Sequence, residues 1–179
     1  MNLLRCLCWP AAVLLLAGCA TMDPSECKVA NWRDVGLRDG LAGQPLSYME
    51  ARTKDCAKAG VALNVPLYLD GRNAGLPQYC RLDNAARVGL AGQTYHGVCA
   101  PGLDAEFRHR FNLGREVYRM RSELRSMDQR RQTLEDRLAD ARGDEERRRL
   151  REDLRDLDYS TRHARDRLRD AERALDRLR

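Results

Sequence analysis

The side chains best equipped for chemistry in this sequence are seven cysteines and three histidines. A thiolate beside an imidazole makes a nucleophile, and several of both make a metal site. The spacing favours neither. Cys80, His96 and Cys99 offer three ligands to a tetrahedral ion and lack a fourth, while His109 and His163 lie further on in strongly charged sequence. An acid pair such as Asp39 and Asp70 would serve acid–base work only if the fold brought the two together. The glycine-rich stretches lack the Lys-Ser/Thr and strand context of a phosphate loop. The expectation is a protein with no catalytic residues, no metal and no cofactor.

Cysteine usage fits disulfides better, and the N-terminus says why. Arg5 precedes an apolar run from Leu7 to Ala17 that ends in Leu16-Ala17-Gly18-Cys19. The run is too short for the roughly 20 residues of a membrane span and reads as a secretion signal. Leu-Ala-Gly-Cys looks like the lipobox of bacterial lipoproteins, in which the cysteine carries acyl chains such as palmitate and becomes the first mature residue. Residues 1–18 are then signal peptide and 19–26 a lipid-anchored linker. Ala20-Thr21, without an Asp after Cys19, favours an outer-membrane anchor facing the periplasm. In that oxidising space Cys27, Cys56, Cys80 and Cys99 remain as an even set.

Those four lie in a head, residues 27–102, that holds most of the Gly and Pro; the arm, 103–179, has only Gly114 and Gly143 and no Pro. Ala30 to Gly40 reads as a short helix. Ser47 to Ala59 reads as a second, with Ser47 and Glu50 at capping-box spacing and Gly60 as its stop. An antiparallel hairpin of these two brings Cys27 beside Cys56. A third helix, Val65 to Tyr79, leads to Cys80, and a turn-rich segment returns the chain to Cys99. Of three pairings that four cysteines allow, this end-to-start geometry favours Cys27–Cys56 and Cys80–Cys99.

An echo of an aromatic followed by Gly recurs at Trp32 and Gly36, Tyr68 and Gly71, and Phe111 and Gly114. Glycine inside a helix costs up to about 1 kcal/mol against Ala, so its repeated use needs a compensating close crossing, with the rings filling the notches. The competing expectation is a ligand groove lined by Trp32, Tyr48, Tyr68 and Tyr95.

The ordered set Cys27, Trp32-x-x-x-Gly36, Asp39-Gly40, Gly43, Cys56, Gly60, Tyr68-x-x-Gly71, Gly75-Leu76, Tyr79-Cys80, Gly89-x-x-Gly92, Tyr95, Gly97-Val98-Cys99 and Phe111-x-x-Gly114 resembles a family of bacterial envelope lipoproteins, domain of unknown function 2799. The likeness runs from about Cys19 to Glu116. It implies a lipoprotein with a small cysteine-paired head, and it implies no activity.

Beyond the head, Leu113, Val117, Met120, Leu124, Met127, Arg131, Leu134, Leu138 and Ala141 advance in steps of four and three, a heptad seam. A second series resumes at Leu150 and runs through Leu157, Thr161, Ala164 and Leu168 to Leu178. The twelve residues from Leu138 to Leu150 would turn the seam about 120° around one straight helix. A hairpin turning at Gly143, with Gly143 as a left-handed C-cap, instead sets the series face to face. Leu138 then meets Leu150, Leu134 meets Leu154 and Leu113 meets Leu175, each pair of numbers summing to 288. One long helix pairing with another chain is the alternative.

Outside the seam the arm carries 22 Arg against 19 acids, and the chain's net charge is only +5. Acids flank every basic cluster, so the charge is a solvated helix face and not a nucleic-acid surface. The fold expected is all-α: a small disulfide-stapled head followed by a long helical hairpin, an antiparallel coiled coil. The function expected is a non-catalytic structural or adaptor lipoprotein of the cell envelope, held to the membrane by acylated Cys19. Its arm would engage an envelope protein or a second copy. The alternative is an envelope enzyme or ligand-binding lipoprotein using the aromatic groove.

Overall fold

The structure, a computed structural model, describes residues 21–178; the expected signal peptide and Cys19 lie outside the described residues. The described residues form seven helices and no strand: α1 (Pro24–Val29), α2 (Trp32–Leu41), α3 (Leu46–Lys58), α4 (Val65–Tyr79), α5 (Leu82–Leu90), α6 (Pro101–Asp140) and α7 (Asp144–Asp176). None is long and apolar enough to cross a membrane. The all-α class expected from the sequence is the one observed.

Local chemistry starts the short helices. Asp23 caps α1 and Glu26 closes its capping box, Asn31 caps α2, and Asn64 caps α4. The capping box expected at Ser47 and Glu50 does not form. Pro45, extended at φ −71°, takes the cap position two residues earlier and leaves Ser47 inside the helix. Gly60 does end that segment, at φ +72°.

Two helix crossings build the head, and both run parallel. Gly36 and Gly40 of α2 lie on the backbone of Tyr68 and Arg72, while Gly71 and Gly75 of α4 lie on that of Arg33 and Leu37. A Cβ at any of these four would occupy the partner's backbone, so side chains are excluded from the contact. In the second crossing Gly89 of α5 meets Phe111 and Gly114 of α6. The antiparallel α2–α3 hairpin expected from the sequence is therefore replaced. The glycine faces of α2 and α4 match each other, and α3 is only the return leg between them. The segment taken for turns between Cys80 and Cys99 contains α5.

The crossings are two copies of one design. Gly40-Leu41-Ala42-Gly43-Gln44 recurs as Gly89-Leu90-Ala91-Gly92-Gln93. Gly43 and Gly92 turn the chain at φ +66° and +71°, and the rings of Tyr79 and Tyr118 cover them. Along the second helices Tyr68, Gly75 and Tyr79 correspond in spacing to Phe107, Gly114 and Tyr118. Tyr68 and Phe107 are each fully buried. The expectation of close crossings is met, with a change of detail: partner backbone fills the helical notches, and rings fill those at the turns.

Each unit has its own core. Met22, Cys27, Trp32, Val35, Cys56, Leu63 and Tyr68 form the first. Met22 is buried there and Thr21 is bonded to Asp55, so residues 21–26 are part of the head and not a free linker. Tyr79, Ala85, Val88, Tyr95, Phe107 and Phe111 lead the second. The last two belong to α6, which passes residues 102 and 103 without a break, so the expected boundary between head and arm falls inside one helix.

The arm is a hairpin. Leu134, Ala141, Leu150 and Leu157 form its core, with Met127, Leu138 and Leu154 packed against them. Arg131, the polar residue of the seam, pairs with Asp158 across it, and Arg121 and Arg167 reach Glu172 and Glu123. Gly143 is not a left-handed cap: its φ is −94° and it starts α7 as an extended N-cap. The turn closes instead through Arg147, whose Nε donates to the Ala141 carbonyl at 2.8 Å.

Candidate functional site

The ring-lined groove does not exist. Tyr68 is fully buried, Trp32 and Tyr95 nearly so, and Tyr48 is half-buried with Arg52 5.1 Å from its ring centre. Trp32 and Tyr68 belong to the first core and Tyr95 to the second, where its ring lies tilted 4.7 Å from that of Phe107. The reason is volume. In a small head whose helices touch through glycine, the few rings are needed as core.

The disulfides are Cys27–Cys56 and Cys80–Cys99, the pairs the sequence favoured. In each unit the bond joins the segment before the first helix to the segment that leads into the second. Among the described residues these bonds use every cysteine, so no thiolate there joins His96 at a metal or serves as a nucleophile.

Asp39 and Asp70 do not meet. Asp70 pairs with Arg33 on the surface. Asp39 is buried and receives Arg52 through Nε and Nη2 at 2.8 and 2.9 Å, with the Tyr68 hydroxyl at 2.7 Å. Burial first, and then the Asp39 carboxylate, push the Tyr68 hydroxyl well above the ordinary tyrosine range. Arg52 also donates from Nη1 to the Thr21 carbonyl at 2.9 Å. This saturated network joins the N-terminal segment to α2, α3 and α4, and its carboxylate has no free face to offer a substrate. Beside it, buried Arg72 gives Nη2 to the Gln44 carbonyl at 2.8 Å, while its Nε has no partner among the described residues.

What the head does present is a cleft of about 570 Å³ between its two units. Leu41, Ala42 and Gln44 from the first repeat face Val88, Ala91 and Gln93 from the second, with Tyr79 at the junction and Asn84, Arg87, Thr94 and His96 completing the lining. Both glutamines are fixed at the backbone. Their N–H groups close the helix ends onto Asp39 and Val88, and their carbonyls accept from Arg72 and Arg115. Sequence reasoning gave His96 no role beyond an incomplete metal set and missed the rest; the pentapeptide occurring twice is the signal that marks Leu41, Ala42, Gln44, Ala91 and Gln93, while Asn84 and Arg87 carry none. His109 and His163 lie on the long helices, His163 edge-on to Tyr159 at 4.4 Å.

Two glycine-crossed parallel helix pairs, each stapled by a disulfide, define a duplicated all-α module that continues into a coiled-coil hairpin. Residues 31–116 match the model of the family described as "Protein of unknown function (DUF2799)". The match begins at the α2 cap and ends just beyond Gly114, so it spans both crossings. The chain is also 29% identical over 94 residues to Uncharacterized protein YfiL of Escherichia coli (strain K12), covering 50% of this chain and 72% of that protein. No solved structure matches.

Proposed function

We propose that this protein is a non-catalytic structural or adaptor module of the cell envelope. An acyl anchor at Cys19 holds the head at the outer membrane, facing the periplasm, and the hairpin arm engages a partner protein or a second copy. The observation that carries the reading is the continuity of α6. Phe107 and Phe111 sit in the head core and Leu134 in the arm core of one unbroken helix. At 1.5 Å per residue its 40 residues reach about 60 Å, so force or position at one end is transmitted to the other. In support, Thr21, two residues after Cys19, donates its N–H and hydroxyl to Asp55, so the head begins close behind the proposed anchor. The arm surface supports contact more than chemistry: alternating Arg and acid pairs, with Tyr159 60% exposed on α7.

The test is a pair of chains expressed in the native host. Cys19→Ser is expected to move the protein from the membrane to the soluble fraction. Deleting 122–170 is expected to leave it on the membrane and abolish any phenotype rescue of the null strain. Unchanged partition of Cys19→Ser, or full rescue by the armless chain, overturns the reading.

A further inference from the structure

We infer that the cleft between the two head units binds the carboxylate end of a short, extended peptide. Its lining contains no acid, although acids and arginines alternate over much of the surface. Arg87 is the cation there and makes no ion pair among the described residues; the nearby acid, Asp83 in the adjoining cleft, is paired with Arg81. Its Nε and Nη2 both donate to the Asn84 Oδ1, at 3.0 and 2.7 Å. Asn84 is itself buried and fixed through Nδ2 to the Tyr79 carbonyl at 2.7 Å. One edge of the guanidinium is therefore spent on orientation, and the end-on pair of N–H groups is left free, the geometry that grips a carboxylate in two bonds.

The neutral groups specify the rest. The carboxamides of Gln44 and Gln93 and the side chains of Thr94 and His96 have no hydrogen-bond partner among the described residues. A carboxamide donates and accepts at once, which matches a peptide unit, and two carboxamides on backbones locked by the same turn give two such matches. One uncompensated cation suits a singly charged carboxylate better than a dianionic phosphate. Leu41, Ala42, Val88 and Ala91 supply apolar surface between the polar points, and the volume lies within the usual range for small-ligand sites. The cleft is lined by none of Trp32, Tyr48, Tyr68 and Tyr95 and by no residue of the hairpin arm, so this inference stands apart from the adaptor reading.

The experiment titrates the full chain with N-acetyl-trialanine, once with a free carboxylate and once as the C-terminal carboxamide, followed by backbone amide NMR. The carboxylate is expected to shift resonances of Gln44, Arg87 and Gln93 and to bind at least about tenfold more tightly than the carboxamide, the size of effect a lost charged fork produces. Arg87→Gln is expected to remove that difference. Arg87→Lys, which keeps the charge without the fork, is expected to restore part of it. Gln44→Ala with Gln93→Ala is expected to weaken both peptides alike. Equal binding of the two peptides, no shift in the cleft at millimolar peptide, or an unaltered preference in Arg87→Gln would overturn the inference. So would displacement of the peptide by equimolar inorganic phosphate.

Discussion

Gly75 of α4 and Gly40 of α2 meet backbone to backbone, with the Gly40 carbonyl carbon 3.0 Å from where a Gly75 Cβ would stand. Gly75→Ala has no room, because the obstructing atoms are main chain. The expected loss is about 1–3 kcal/mol, the range for overpacking a close contact. Gly102, in the first turn of α6, has nothing within 4 Å, so Gly102→Ala is expected to gain up to about 1 kcal/mol. Urea melts of both variants check the pair; equal effects would contradict a backbone crossing.

Among the described residues, Asp39 and Arg52 form the one ion pair in which both side chains are largely out of water, at 6% and 13% exposure. Removing one partner leaves the other buried and uncompensated, so Asp39→Asn is expected to cost about 3–5 kcal/mol. Tyr68→Phe deletes a hydroxyl donor to the same carboxylate and is expected to cost about 1 kcal/mol. Denaturant midpoints at constant m-value are the readout, and a larger loss in Tyr68→Phe than in Asp39→Asn would refute this ranking.

At the hairpin tip the residue that matters is Arg147 and not Gly143. With φ −94° and open space around it, Gly143→Ala is expected to change stability by under about 0.5 kcal/mol. Arg147→Ala removes the donor to Ala141 and is expected to cost about 1 kcal/mol. Thermal unfolding followed by circular dichroism separates the two, and a destabilised Gly143→Ala would restore the left-handed cap.

What the sequence made legible was whatever has a period or a local signature. The heptad seam from Leu113 to Ala141 and its counterpart from Leu150 predicted the hairpin, because packing of a narrow apolar stripe fixes both spacing and register. The cysteine pairs were the expected ones, although the α2–α3 hairpin that led to Cys27–Cys56 did not form. The α2–α4 crossing was not legible as a pairing, since Gly36 and Gly71 mark close approach without naming the partner. α5 was hidden by Gly89 and Gly92, residues that read as turn punctuation while one of them is a crossing point. The cleft lies between units distant in sequence, and only the repetition of Gly-Leu-Ala-Gly-Gln, with Gln44 and Gln93 at its ends, betrayed it.

Acid should loosen the contact between Thr21 and Asp55. The hydrogen bond from Lys58, and then those from the Thr21 N–H and hydroxyl, hold the Asp55 carboxyl down at about 2. A carboxyl whose folded pKa lies below its unfolded value of about 3.9 lends stability that is complete above that value and drains away as pH falls through the folded one. The Thr21 contact is therefore expected to persist at pH 4 and to be lost near pH 2. A carbon-detected titration of Asp55 reads this directly; a midpoint near 4 would mean that Thr21 is not clamped.

The doubled-back arm is the part of the account on which a rigid reach from the membrane depends. Spin labels at Asp128 and Ser160, both exposed and set at one level of the hairpin by the neighbouring contact of Thr161 with Met127, measure it by pulsed electron resonance, with excess unlabelled chain suppressing contacts between molecules. Helix axes about 8–10 Å apart place the labels within about 20 Å of each other. A distance near 48 Å, the span of 32 residues of uninterrupted helix at about 1.5 Å each, would show one straight rod and contradict the hairpin.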